Sequence, residues 1–173
     1  MKRTTGVLLW CGLSLSFLPA QSGAPASIQL GIGVAGRGEE AFVPVSFSFV
    51  EAHQVRRISF EFSFPKSLLV FTSATKGPAA KSFEMLIETE LLSKEVEDVV
   101  RVKLSSNSPI PTGELVQLQF GISEEAHAND EFTLKHLAQT VQTLTDAPLE
   151  AKGLDGAIVV VGDAVFGCFF YMH

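Results

Sequence analysis

The segment that decides the fold reads Ile58-Ser-Phe-Glu-Phe-Ser-Phe64 and is preceded by Arg57. Apolar side chains at positions 58, 60, 62 and 64 alternate with polar side chains at positions 57, 59, 61 and 63. A period of two residues is typical of a β-strand that buries one face and leaves the other in water. The segment therefore predicts a strand whose large side chains fill a core.

The same alternation recurs along the chain, in runs separated by Gly, Pro, Asn and Asp. The further runs are Val43, Val45, Phe47 and Phe49; Phe83, Met85 and Ile87; Val100, Val102 and Leu104; Val116, Leu118 and Phe120; and the continuous apolar run 157–161. A helical turn is expected only near Leu91 to Val96. Many short strands without long helices between them indicate an antiparallel sandwich or barrel, and the 14 phenylalanines suit the space between two sheets.

The N-terminus has the order of a secretory signal peptide. Lys2 and Arg3 precede an apolar run over 6–18, which ends at Pro19 and is followed by small residues. The run is shorter than the roughly 20 residues that a membrane-spanning helix needs, so a retained anchor is the less favoured alternative. We expect a signal peptide over 1–24, an exported domain over 25–162 and an apolar tail over 163–173.

The net charge limits the classes of partner, and the cysteine content limits the possible disulfides. Removal of Lys2 and Arg3 would leave 11 basic and 19 acidic residues, a formal net charge of −8, which argues against nucleic acid and anionic lipid. Of the two cysteines, Cys11 falls within the signal segment, so the exported chain would contain Cys168 alone. Cys168 would then be a buried thiol or half of an intermolecular disulfide.

Five stretches, in their order along the chain, resemble one family. Segment 36–45 is similar to the glycine turn and Val-Pro-Val strand near the start of bacterial cohesin domains, and 58–69 to a strand that leads into a Leu-Leu pair. Segments 100–106, 113–120 and 156–160 resemble later strands of that family, so the likeness spans nearly all of 28–161. Where the family usually reads Tyr-Asp-Pro, this chain has Phe64-Pro65-Lys66, which removes an acidic side chain and puts the partner preference in doubt.

The resemblance implies an all-β fold, a two-sheet antiparallel jelly-roll sandwich. It also implies a non-catalytic module that accepts a calcium-loaded dockerin helix pair on one sheet face, in assemblies that degrade extracellular polysaccharides. If the family arrangement holds, Arg57, Ser59, Glu61, Arg101 and Lys103 lie in one sheet with their side chains outward. We predict that these five residues bind the partner.

Several motifs that could carry chemistry have plainer explanations. Gly31-Ile-Gly-Val-Ala-Gly36 fits a dinucleotide-binding pattern, but the residues after it lead into a strand with Pro44 and not into a helix. Glu88 and Glu90 share a strand face as a catalytic pair would, yet they fit a solvated acidic edge with Glu95, Glu97 and Asp98. We therefore expect no enzyme activity and no cofactor.

Metal binding is not expected either. The histidines at 53, 127, 136 and 173 are scattered, without a second histidine at ligand spacing. Cys168, Met172 and His173 could be imagined around a soft metal, but three loosely spaced ligands at a chain end are a weak signal.

Two further questions stay open at the level of sequence. A carbohydrate-binding or adhesive domain is the alternative function, although sugars stack on Trp and Tyr and only Tyr171 would remain after loss of Trp10. The tail, with Phe169, Phe170 and Tyr171, is expected either to fold back on its own sandwich or to bind a neighbouring copy, through strand addition or a disulfide at Cys168.

Overall fold

A computed structural model of the protein describes residues 26–50 and 53–162. Within these residues the chain forms twelve β-strands and a 3-10 turn at Pro78–Ala80. The strands are β1 Ala26–Leu30, β2 Ile32–Gly36, β3 Glu40–Ser48, β4 Val55–Pro65, β5 Leu69–Lys76, β6 Leu86–Ser93, β7 Glu97–Ser105, β8 Gly113–Ile122, β9 Glu131–Thr143, β10 Pro148–Leu149, β11 Ala151–Leu154 and β12 Gly156–Val161. In this part of the chain no helix is long and apolar enough to cross a membrane.

The two predicted chain ends lie outside the described residues. The signal peptide over 1–24 and the tail over 163–173, with Cys168, Phe169, Phe170 and Tyr171, are not described by the structure. The domain boundaries at 24 and 162 therefore stay predictions.

The strands form two sheets that pack face to face, which confirms the predicted β-sandwich. One sheet has five strands in the order β11-β1-β3-β8-β5, and the other has seven, in the order β2-β12-β9-β4-β7-β6 with β10 added beside β9. Two pairs, β1 with β11 and β2 with β12, are parallel, whereas the other pairs are antiparallel. The described sandwich is thus mainly antiparallel, as expected, with parallel pairing at these two pairs.

Gly31 lies where the chain passes from the five-stranded sheet into the seven-stranded one. Its N–H donates to the Pro44 carbonyl at 2.8 Å, and its own carbonyl accepts from the Ala157 N–H at 3.1 Å. A Cβ at this position would lie 2.7 Å from Cγ of Pro44, so only glycine fits without movement. The glycine-rich motif at 31–36 is thus part of a strand crossing, and as predicted no helix follows it.

The core lies between the sheets and is built largely from phenylalanine. Phe60, Phe62 and Phe64 of β4 are at most 1% exposed, as the alternation predicts. From the opposite sheet, Phe120 meets Phe64 edge-on with ring centroids 5.3 Å apart and meets Phe62 at 6.2 Å. Edge-to-face pairs at these distances stabilise a core beyond the area they bury.

Two expectations near β6 are wrong. The predicted helical turn at Leu91 to Val96 is absent, because β6 continues to Ser93 and pairs with β7. The Leu and Glu residues there favour a helix locally, but cross-strand pairing overrides that preference. The predicted strand through Phe83, Met85 and Ile87 begins only at Leu86; Met85 is nevertheless buried, and Phe83 and Ile87 pack against the core.

The longest strand, β9, was not predicted. Its sequence lacks a clean alternation, and only Leu134 and Val141 of its residues are buried. The register with β4 shifts between Glu61 and Phe62, so that Ala138 pairs with Glu61 while His136 pairs with Phe62. This bulge inserts Leu137 and interrupts the period that a sequence pattern would detect.

His136 lies in β9, and its hydrogen bond to Gln139 fixes its tautomer. Gln139 donates through Nε2 to the Ala151 carbonyl at 2.7 Å, so its Oε1 accepts from Nε2 of His136, also at 2.7 Å. The other ring nitrogen, Nδ1, is buried without a partner. Burial lowers the pKa of His136 below its ordinary value of 6.5, against an opposing charge from Asp155.

We expect Phe120→Ala to lower the free energy of unfolding by about 3–5 kcal/mol, because it removes the ring that joins both sheets and leaves a cavity. Phe42→Ala is the matched control, since Phe42 is 50% exposed, and it should cost less than about 1 kcal/mol. Urea unfolding followed by circular dichroism measures both. Equal losses for the two variants would contradict the role given to Phe120.

The free energy of unfolding should fall as the pH drops through about 6.5. His136 becomes protonated there in the unfolded chain, whereas its lowered pKa keeps it neutral in the native state. The loss should level off below the lowered native pKa. His136→Gln should remove this part of the pH dependence, measured by urea unfolding between about pH 7 and about pH 5. His127→Gln, at an exposed histidine, should keep it. An unchanged slope in His136→Gln would rule out this origin.

Candidate functional site

The outer face of the seven-stranded sheet is formed by β6, β7, β4 and β9 and points away from the core. Strand register arranges its side chains in rows that run across the four strands. The first row is Leu86, Ser105, Arg57 and Gln142; the second is Glu88, Lys103, Ser59 and Thr140; the third is Glu90, Arg101, Glu61 and Ala138.

The structure brings all five predicted site residues together on this outer face. Arg57, Ser59 and Glu61 come from β4, and Arg101 and Lys103 come from the adjacent β7. Ser59 pairs with Lys103, and Glu61 pairs with Arg101. Their grouping is a structural fact, and their role in binding stays a prediction.

Arg101 is held in place by two carboxylates. Its Nε donates to Oε1 of Glu61 at 2.7 Å, and its Nη1 donates to Oε2 of Glu90 at 2.8 Å. The hydrogen bond and charge of Glu61, followed by those of Glu90, raise the pKa of Arg101 above its ordinary value. The three side chains span three strands and present a fixed pattern of charge.

Two other cations on the outer face are less constrained. Lys103 is exposed, and its ammonium forms no ion pair with any residue in 26–50 or 53–162. Arg57 shares one carboxylate oxygen of Asp146 with Arg56, at 3.3 and 3.2 Å. Exposed pairs of this kind contribute little to stability, so both cations are available to a partner.

The outer face is shallow. A depression of about 320 Å³ is lined by side chains of the first two rows, among them Arg57, Glu88 and Lys103. It adjoins a cleft of about 520 Å³ that is lined by Arg57, Lys76 and Glu84, among others. A shallow surface of this kind is suited to binding another protein. A small molecule is usually bound in a deep, mostly apolar pocket.

A fourth row follows the charged ones and contains Leu92, Val99, Ser63 and Lys135. Val99 and Ser63 are 2% exposed, and Lys135 is exposed. Beside them the bulge in β9 leaves Leu137 44% exposed. An exposed leucine next to fixed charges is the composition of a protein-binding surface.

Sequence reasoning missed the contributions of β9 and β6 to the outer face. Thr140 and Gln142 belong to the unpredicted strand, although the run Thr140-Val141-Gln142 alternates and could have indicated it. Glu90 was interpreted as part of a solvated edge, but it binds Arg101. Nothing local in the sequence signals Leu137, because its exposure depends on the bulge.

The alternative chemical sites do not gain support from their geometry. Glu90 is engaged by Arg101, so Glu88 and Glu90 do not form an isolated pair of carboxylates. Across the described residues, no three His, Cys, Asp or Glu side chains are grouped so that they could hold a metal ion. Cys168, Met172 and His173 lie outside that part of the chain.

The Phe64-Pro65-Lys66 departure has a visible structural role. Lys66 follows β4, and its ammonium donates to the carbonyl of Lys94 in the turn between β6 and β7. This hydrogen bond connects the turn that follows β4 with the turn between β6 and β7, at one end of the outer face.

The fold is that of solved cohesins. The sixth cohesin of scaffoldin B from Acetivibrio cellulolyticus, in complex with a Cel5 dockerin, has a TM-score of 0.64 at 18% identity, covering 79% of this chain and 99% of that one. A non-cellulosomal cohesin from the archaeon Archaeoglobus fulgidus has a TM-score of 0.62 at 15% identity, covering 82% and 94%. The Coh-OlpA–Doc918 complex from Clostridium thermocellum gives 0.67 at 14% identity, covering 80% and 100%.

Sequence comparison adds nothing to this likeness. No protein-family model matches the chain, and no curated protein matches it either. The resemblance noted in the sequence is therefore confirmed at the level of the fold, and the chain has a cohesin fold.

Proposed function

We propose that the chain is a non-catalytic docking module whose outer face binds a dockerin-type helical protein. The observation that carries this proposal is the set of rows across β6, β7, β4 and β9. There Arg101 is fixed by two carboxylates, Lys103 has no ion-pair partner among the described residues, and Leu137 is exposed nearby. The solved cohesins of the same fold that are complexed with dockerins support the class of partner.

The dimensions of the outer face suit a helix. Four strands spaced about 4.8 Å apart place β6 and β9 roughly 14 Å apart. A helix with its side chains is about 10–12 Å wide. One helix can therefore lie along the face, and a second can rest on its rim.

The charges on the outer face are arranged to select and orient a partner more than to increase the affinity for it. Arg101 is already oriented by Glu61 and Glu90, so little side-chain freedom is lost when a partner binds. The Lys103 ammonium has no ion-pair partner among the described residues and can attract an acidic group from solution. Charges placed in this way mainly set the encounter rate and the register of the complex.

The proposal includes export of the chain to the cell surface or the medium. It rests on the signal-like order of residues 1–24 and on the acidic balance of the remaining chain. In that setting a docking module could hold polysaccharide-degrading enzymes together. Direct sugar binding is less favoured, because residues 26–162 contain neither Trp nor Tyr.

The double variant Arg101→Glu, Lys103→Glu should slow association with the partner by about tenfold or more. Purified dockerin modules from the same genome, loaded with calcium, serve as the probe, and biolayer interferometry at two salt concentrations gives the rate constants. Neither side chain is buried, since Lys103 is exposed and the Arg101 side chain is 33% exposed. Circular dichroism should show that the variant is folded, which must be checked because it places new carboxylates beside Glu61 and Glu90.

The matched control is Lys81→Glu, Lys152→Glu, which makes the same change in net charge at two exposed lysines away from the outer face. This variant should associate almost normally. Binding that is unaffected by the face variant would place the docking site elsewhere. Failure of every such dockerin to bind, or retention of an insoluble polysaccharide instead, would overturn the proposal.

Leu137→Ala should act on the dissociation rate rather than the association rate. Loss of this apolar contact should raise the dissociation rate by about tenfold, corresponding to about 1.4 kcal/mol. Leu154→Ala, at a leucine that is 37% exposed on the other sheet, is the control and should leave both rates unchanged. An effect confined to association would show that Leu137 is outside the interface.

A further inference from the structure

A second surface of the sandwich is apolar and lies apart from the charged rows. It is the outer side of β2 and β12, where the parallel register pairs Ile32 with Ala157 and Val34 with Val159. Together with Val161 these four residues form what we call the β2–β12 patch. Ile32 is 65% exposed, Val34 is 58% exposed and Val161 is 44% exposed.

The β2–β12 patch is not an extension of the core. Residues that alternate with it, such as Ala35, Ile158 and Val160, are buried between the sheets. The neighbouring strand presents Glu131 and Thr133 beside it, both exposed. Exposed apolar groups of this kind usually mark a contact site, because leaving them in water is unfavourable.

The chain itself supplies a segment that matches the β2–β12 patch. Residues 163–173 follow directly after β12 and read Asp-Ala-Val-Phe-Gly-Cys-Phe-Phe-Tyr-Met-His. Their only carboxylate side chain is that of Asp163, at the beginning, and most of the rest are apolar or aromatic. At roughly 3.3 Å per residue, the segment reaches about twice the length of the five-residue β2.

The topology restricts where that segment can go. β12 already pairs with β2 on one edge and with β9 on the other. The chain leaving Val161 therefore cannot form a hairpin with β12. The β2–β12 patch is within its reach, because Val161 is itself a member of the patch.

We propose that residues 163–173 lie across the β2–β12 patch of the same chain and cover it. Phe169, Phe170 and Tyr171 then contact Ile32 and Val34, which gives the predicted tail contacts a specific partner. This inference is independent of docking at the outer face, because the patch borders β9 at Glu131 and Thr133, whereas the charged rows include β9 at Ala138, Thr140 and Gln142.

Disulfide trapping tests the proposal with a thiol that the chain already carries. In the full chain with Cys11→Ser, Cys168 is the only native cysteine. Val34→Cys should then form an intramolecular disulfide with Cys168 on mild oxidation, at a yield that does not depend on protein concentration. Peptide mass spectrometry of the unreduced monomer identifies the bond, and Ile32→Cys provides a second position.

Val70→Cys is the matched control, because Val70 is 66% exposed and lies on β5 of the other sheet. It should form little or no disulfide with Cys168. Equal yields at positions 34 and 70, including no yield at either, would overturn the proposal. A disulfide between two chains whose yield rises with concentration would also overturn it, and would show that a second copy covers the patch.

Discussion

The contacts of Phe120 with Phe62, Phe64 and Phe71 are the interaction on which the rest of the structure depends. These rings join the two sheets, and both cysteines of the chain lie outside the residues that form the sandwich. The rings also fix the strand register. A slip of one residue in β4 would turn Arg57 and Glu61 into the core and the phenylalanines into water, so the charged rows exist because the aromatic rows are buried.

The sequence could predict the strands with a strict period of two, and through them the residues that share a face. Arg57, Ser59 and Glu61 were placed correctly because Phe60 and Phe62 determine which side of β4 is buried. The sequence could not show that Arg101 would meet both Glu61 and Glu90, because that depends on the order of strands in the sheet. It missed β9, whose bulge at Leu137 breaks the period, and it misjudged Leu91 to Val96, where helix propensity is overridden by pairing.

Gly31 and Lys66 belong to sequence motifs that serve the packing of the fold and not a chemical reaction. Gly31 begins a pattern that resembles a phosphate-binding loop, but its missing side chain serves the close approach of Pro44. Lys66 belongs to the Phe64-Pro65-Lys66 departure, and its ammonium ties two turns together by donating to the Lys94 carbonyl. At 14–18% identity to the solved cohesins cited above, the chain shares their fold while most of its side chains differ.

The parallel pairs at the two ends of the chain have a mechanical consequence. β1 and β2 come first among the described strands and β11 and β12 last, and they pair over four and five residue positions. A force that pulls the two ends of the domain apart draws these strands past each other along their axes. It loads all the hydrogen bonds of a pair in shear at once, whereas antiparallel strands pulled from one end would unzip bond by bond. Shear loading of this kind resists unfolding under tension better than unzipping does, because several hydrogen bonds must break together.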